Sequence, residues 1–130
     1  MKKRIIRIIF NTFLILPAVF FLLTGYRWLV SPEAAASILM MPLLKGVALS
    51  SQMGDIGGMF LAMGLLTTGA VVYRKGDWLM SVSIILACIA IFRLLSYTLH
   101  GAALVRQMVV FEIVLSIWFG IASRKLSKKE

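Results

Sequence analysis

Arg93 and Glu112 are the two side chains in this sequence that most need a physical reason. Each interrupts a long apolar run, and an ionised group at such depth in a low-dielectric medium costs at least a few kcal/mol unless it is paired or reaches water. Arg93, Tyr97 and His100 fall at i, i+4 and i+7, so on a helix they share one face. Glu112, Ser116 and Gly120 recur every four residues on the last apolar run, which points Glu112 into whatever that helix packs against. The spacing predicts a carboxylate partner for Arg93, with Glu112 or Asp55 as the candidates. As chemistry, Glu112, Asp55 or His100 could move protons for a membrane-dissolved substrate. No nucleophile–base constellation, phosphate loop or metal motif accompanies them, however, and paired acids alone are a weak signal of catalysis. His100 is the only histidine, so bis-histidine haem ligation within one chain is excluded and zinc would have to rely on carboxylates. Cys88 stands alone inside an apolar run, which rules out an intramolecular disulfide or CxxC pair and reads as small packing. No metal and no cofactor is expected.

Ser50, Gly54, Gly58 and Ala62 also recur every four residues, forming a stripe of small side chains that lets another helix approach closely, in the same bundle or in a homo-oligomer. Ser51 and Asp55 lie beside it. Topology, derived below, gathers Arg27, Gln52, Asp55, Arg93, Tyr97, His100 and Glu112 into one polar cluster in the outer half of a helix bundle, and these are the candidate binding residues. Each has a plainer reading. Asp55 could stabilise the first turn of its helix, Gln52 could sit at the interface, and Arg27 could snorkel to headgroups. Tyr97 and His100 suit an interface too, and Arg93 with Glu112 could be a purely structural ion pair. The eight methionines are scattered core fillers and imply no site.

The elements that must position these residues follow from composition. Of 130 residues, 61% are hydrophobic and only 15% charged, which fits a single all-α integral membrane domain over residues 1–130. A net charge of +9 would ordinarily suggest nucleic acid, but the Lys and Arg residues sit beside apolar runs, as membrane topology requires, so no nucleic-acid partner is expected. The apolar runs predict a four-transmembrane-helix bundle, with spans at about 5–30, 51–73, 78–99 and 103–122. The first run exceeds a signal-peptide core and Gly25-Tyr26-Arg27-Trp28 is no cleavage site, so it reads as a retained helix, kinked at Pro17, with Tyr26 and Trp28 at the far interface. Ser31-Pro32-Glu33 opens a short helix through about Met40, and Pro42 and Gly46 break the stretch that follows, so 32–49 reads as an interfacial segment. The second span opens near Ser50 or Ser51. Asp77 reads as the cap of the third, which ends at His100-Gly101. Lys2, Lys3, Arg4 and Arg7, then Arg74 and Lys75, then Arg124, Lys125, Lys128 and Lys129 outweigh Arg27, Lys45 and Arg106 on the opposite side, which places both termini in the cytoplasm.

The stretches Gly25–Pro32, Ala48–Gly58, Arg93–Gly101 and Phe111-Glu112-Ile113 resemble those of a bacterial family of small four-helix membrane proteins carrying a domain of unknown function. The resemblance covers most of the chain, and Ser51-Gln52-Met53-Gly54-Asp55 and His100-Gly101 are its most specific parts. It implies a bundle in the bacterial cytoplasmic membrane and no particular activity.

The function expected from these residues is binding, with transport a further option, of a lipid-like or amphipathic ligand in the outer polar pocket beneath the interfacial segment. Membrane lipids are the expected surroundings. One alternative is an interaction or assembly subunit docking other helices through its small-residue stripe. The other is a membrane-embedded acid/base enzyme such as an isomerase.

Overall fold

The computed structural model describes residues 1–127, the side chains of Lys2 and Lys3 excepted; Lys128 and Lys129, counted above in the basic tail, lie outside the described residues. Five helices and their connections make up the described chain: α1 (Lys2–Val30), α2 (Pro32–Ile38), α3 (Val47–Tyr73), α4 (Gly76–His100) and α5 (Arg106–Ser127). Within α3 an α-helical turn, Val47–Ser51, leads into a π-helical segment, Gln52–Gly57, and then regular α-helix, Gly58–Tyr73. Arg4–Val30 of α1, Val47–Tyr73 and Gly76–His100 are long and apolar enough to cross a membrane. The chain divides into two compact units, Met1–Val71 and the residues from Val72 onward.

In the first unit α1 continues helical across Pro17 and packs on α3 through glycines. A Cβ on Gly25 would stand 2.7 Å from the Leu61 amide nitrogen, and one on Gly64 would stand 2.7 Å from Leu22 Cγ, so both positions require the absence of a side chain. Phe21 and Phe60 meet beside them with ring centroids 6.0 Å apart. The stripe predicted for close approach lies elsewhere: a Cβ on Gly54 or Gly58 would meet nothing within 4 Å, and Ser50 and Ala62 are exposed. The π-helical turn breaks the four-residue count on which that stripe was built.

Trp28 corrects a second expectation. It is 1% exposed, the centre of a small core with Ala35 and Ala36 rather than a residue facing outward from the protein, and Leu39, Met41, Leu43, Met53 and Ile56 pack against that core. Pro32 starts α2 with only Ser31 between it and the end of α1, which folds α2 back so that two alanines, small enough to lie on an indole, pack with Trp28. Ser31 makes no side-chain cap bond. The segment that follows α1 is therefore helical only to Ile38, has a left-handed φ of 55° at Met40, and forms neither helix nor strand over 41–45. Gly46, at φ 61° and ψ −135°, occupies a region open essentially to glycine alone and launches α3 at Val47, three residues before Ser50.

The second unit is an antiparallel hairpin of α4 and α5. Gly101 ends α4 at φ 64°; its N–H donates to the Tyr97 carbonyl and that of Ala102 to the Ser96 carbonyl, each at 3.2 Å, closing the helix as its glycine predicts. Asp77 lies one residue inside α4, in its first turn, and is not its cap: the helix starts at Gly76 and Lys75 is the N-cap residue. Gly76, Leu79, Ser83, Leu86, Ala90 and Arg93 alternate in steps of three and four along α4, as do Val109, Glu112, Ser116, Phe119, Ser123 and Leu126 along α5. This 3.5-residue period is that of a left-handed helix seam. Its polar layers are matched: the Ser83 hydroxyl donates to the Ser116 carbonyl at 2.7 Å, and the Ser116 hydroxyl to the Ser83 carbonyl at 2.8 Å. At the far end Gly76 lies against Ser123 and Ser127 with no room for a side chain. Cys88 is exposed rather than packed, since it falls off this seam.

Candidate functional site

The seven candidate residues fall into the two units: Arg27, Gln52 and Asp55 in the first, and Arg93, Tyr97, His100 and Glu112 in the second. In the first unit the 41–45 strap and the π-helical turn flank an open cleft of about 550 Å³ lined by Met41, Pro42, Leu44, Ala48, Ser51, Gln52, Asp55 and Ile56. Gln52 is buried against the protein, and its amide is spent on the strap. Its Oε1 accepts from the Leu44 N–H at 3.0 Å, while Nε2 donates to the Pro42 carbonyl at 3.0 Å and meets Met41 Sδ at 3.1 Å. Because Pro42 interrupts any helix here, the strap's backbone groups need a side-chain partner, and Gln52 supplies it. Gln52 therefore holds the cleft shut on one side and leaves Asp55 and Ser51 as its polar wall.

Asp55 is exposed and makes no hydrogen bond or ion pair with a described residue. Since α3 begins at Val47, Asp55 sits two turns inside the helix, beyond the reach of the dipole at its first turn. That removes the helix-start reading. Arg27 is exposed in the last turn of α1 and forms no ion pair among the described residues.

In the second unit the carboxylate partner of Arg93 is Glu112, with Nε donating to Oε1 at 2.8 Å. The Glu112 side chain is 10% exposed and its Oε2 is buried without a hydrogen-bond partner among the described residues; the Arg93 side chain is 34% exposed. The geometry of the pair follows from the seam. Ser83 and Ser116 are level with one another, Glu112 lies four residues from that layer toward the loop and Arg93 ten. At 1.5 Å per residue their Cα atoms differ in height by roughly 9 Å. Side chains on a helix tilt toward its N-terminus, so in this antiparallel pair Arg93 reaches back along α4 while Glu112 reaches toward the loop, and the two meet between. The guanidinium is thereby drawn back to within about one helical turn of the midpoint of α4. A groove of about 470 Å³ lined by Cys88, Ile89, Phe92, Arg93 and Ser96 runs alongside. Tyr97 and His100 are exposed farther along α4, outside this lining.

Sequence reasoning missed the matched Ser83 and Ser116, whose signal is the three-and-four spacing from Gly76 onward, and the role of Trp28 beneath the strap. It also missed Met41, Pro42, Leu44, Ala48 and Ile56 as lining residues; only the punctuation at Pro42 and Gly46 hinted at a strap. No family model, curated protein or solved structure matches this chain.

Proposed function

We propose that this chain is a four-span protein of the bacterial cytoplasmic membrane, with both termini inside, that binds a lipid-like amphiphile in the cleft beneath the 41–45 strap. The observation that carries the reading is Asp55: an exposed carboxylate, two turns inside a helix and without a partner among the described residues, on the wall of an otherwise largely apolar cleft. An apolar cleft with a few convergent polar groups is the usual form of a small-molecule site. A carboxylate beside the Ser51 hydroxyl suits a head carrying hydrogen-bond donors, such as an amine or a polyol, with its chain against Met41, Leu44 and Ile56. The fourth span is α5, whose Arg124 and Lys125 add to the basic, cytoplasmic side. The resemblance to small four-helix bacterial proteins belongs to the same reading. Lipids co-purifying with the protein, identified by mass spectrometry, test it: Asp55→Asn should deplete one bound species at least tenfold without changing the melting temperature. An unchanged lipid profile removes the cleft as a site. Reporter fusions at both ends should be active only in the cytoplasm.

A second reading, a docking subunit or homo-oligomer, is favoured by one observation: Gly58 and Ala62, one turn apart in the regular part of α3, are both exposed, with open space over Gly58. Gly58→Leu should then shift a cross-linked oligomer to monomer and leave lipid binding intact.

A further inference from the structure

The ion pair of the second unit is incompletely used. Arg93 gives Nε to Glu112, and neither Nη group has a partner among the described residues, although both lie on a side chain that lines the groove of Cys88, Ile89, Phe92 and Ser96. In hydrocarbon each unsatisfied N–H carries a heavy desolvation cost, so whatever fills the groove should bring acceptors to that point. Depth restricts what it can be. The guanidinium stands near the midpoint of a helix of 25 residues, about 15 Å from its His100 end, too deep for the phosphate of a bilayer lipid. Charge restricts it further. Arg93 and Glu112 already neutralise each other, so a carboxylate or phosphate arriving there would leave a net negative charge in the least polar part of the bilayer. The remaining chemistry is a neutral acceptor on an apolar body.

We propose that the α4 groove binds a membrane-dissolved carbonyl compound, a quinone or an apolar ketone, whose carbonyl oxygen accepts from the Nη groups of Arg93 while its ring lies on Phe92 and its tail on Ile89 and Cys88. Glu112 is a positioning residue here: its single bond to Nε turns the Nη edge of the guanidinium toward the groove. The inference rests on the membrane-spanning reading but not on the Asp55 cleft.

The test uses full-length protein in lipid nanodiscs and decyl-ubiquinone, whose fully substituted ring does not arylate the nearby thiol, with decylbenzene as a tail-only control. Native mass spectrometry should show a one-to-one quinone adduct and no decylbenzene adduct, and the infrared carbonyl stretch of the bound quinone should move to lower wavenumber. Arg93→Gln with Glu112→Gln, which keeps a neutral hydrogen-bonding layer, should weaken the adduct at least tenfold with the melting temperature held within a few degrees. Asp55→Asn should leave it unchanged, which separates this groove from the cleft, and resistance of the protein to alkaline extraction from membranes separately tests the spanning reading. The proposal is overturned by the absence of a quinone adduct, by equal binding of decylbenzene, by retention in the folded double variant, or by Arg93-dependent binding of palmitate in place of the quinone.

Discussion

Breaking the Arg93–Glu112 pair from its two sides should have unequal consequences, and the inequality follows from the exposures. Arg93→Met leaves a carboxylate in a side chain only 10% exposed, with Oε2 already unpartnered and Oε1 newly so. Stranding a buried charge costs about 3 kcal/mol or somewhat more. Glu112→Leu instead leaves an arginine that is 34% exposed on a long stem and can turn outward, so its cost should be nearer 1.5 kcal/mol, between exposed-pair and buried-pair behaviour. The double variant replaces one seam layer by apolar side chains of similar size and should return to within about 1 kcal/mol of the parent. The coupling between the positions is then about 3.5–4.5 kcal/mol, obtained from a double-mutant cycle. Reversible unfolding in mixed micelles of a mild detergent and sodium dodecyl sulfate, followed by circular dichroism, measures all four proteins. If the two single variants cost the same, or if the double variant loses the sum of both, the charge-burial argument fails.

Three further outcomes are expected. Gly25→Ala should destabilise the first unit by about 2 kcal/mol, because its Cβ would strike the Leu61 backbone, which has nowhere to move. Gly58→Ala, facing open space in regular helix, should stabilise it by roughly 0.5–1 kcal/mol in the same micellar titration. Gln52→Leu should free the strap. Losing the bonds to Leu44 and Pro42 at about 1 kcal/mol each raises the opened population roughly 30-fold, read as faster tryptic cleavage after Lys45.

Much of the architecture is legible in the sequence because its signals are local. Apolar run lengths mark the helices, Gly101 marks the end of α4, and the cost of an isolated charge in an apolar run forecasts that Arg93 finds a carboxylate. What escaped depends on contacts distant along the chain. Trp28 carries the composition of an interfacial residue, and only the fold-back of α2 at Pro32 makes it core. Gln52 looks like a polar residue at a helix mouth, and its role appears once the strap crosses it. The height of the Arg93 guanidinium could not be read from its position in α4, because side-chain tilt in an antiparallel pair displaces it by several ångströms from its own Cα.

The π-helical turn at Gln52–Gly57 has a consequence for how α3 can change over generations. An i→i+5 turn holds one residue more than an α-helical turn, so the segment accommodates one residue that a regular helix of the same rise would not. Each residue of a regular helix advances the azimuth by about 100°. The extra residue therefore rotates Val47–Ser51 by about that angle against Gly58–Tyr73, and the two halves of α3 answer to different neighbours as though they were separately keyed. Removing one residue from the turn would re-phase the upper half, swinging Ser51 away from the cleft and detaching the strap, while the glycine contacts of the lower half with α1 kept their alignment. A one-codon deletion is thus a cleaner knockout of the cleft than any side-chain substitution in its wall.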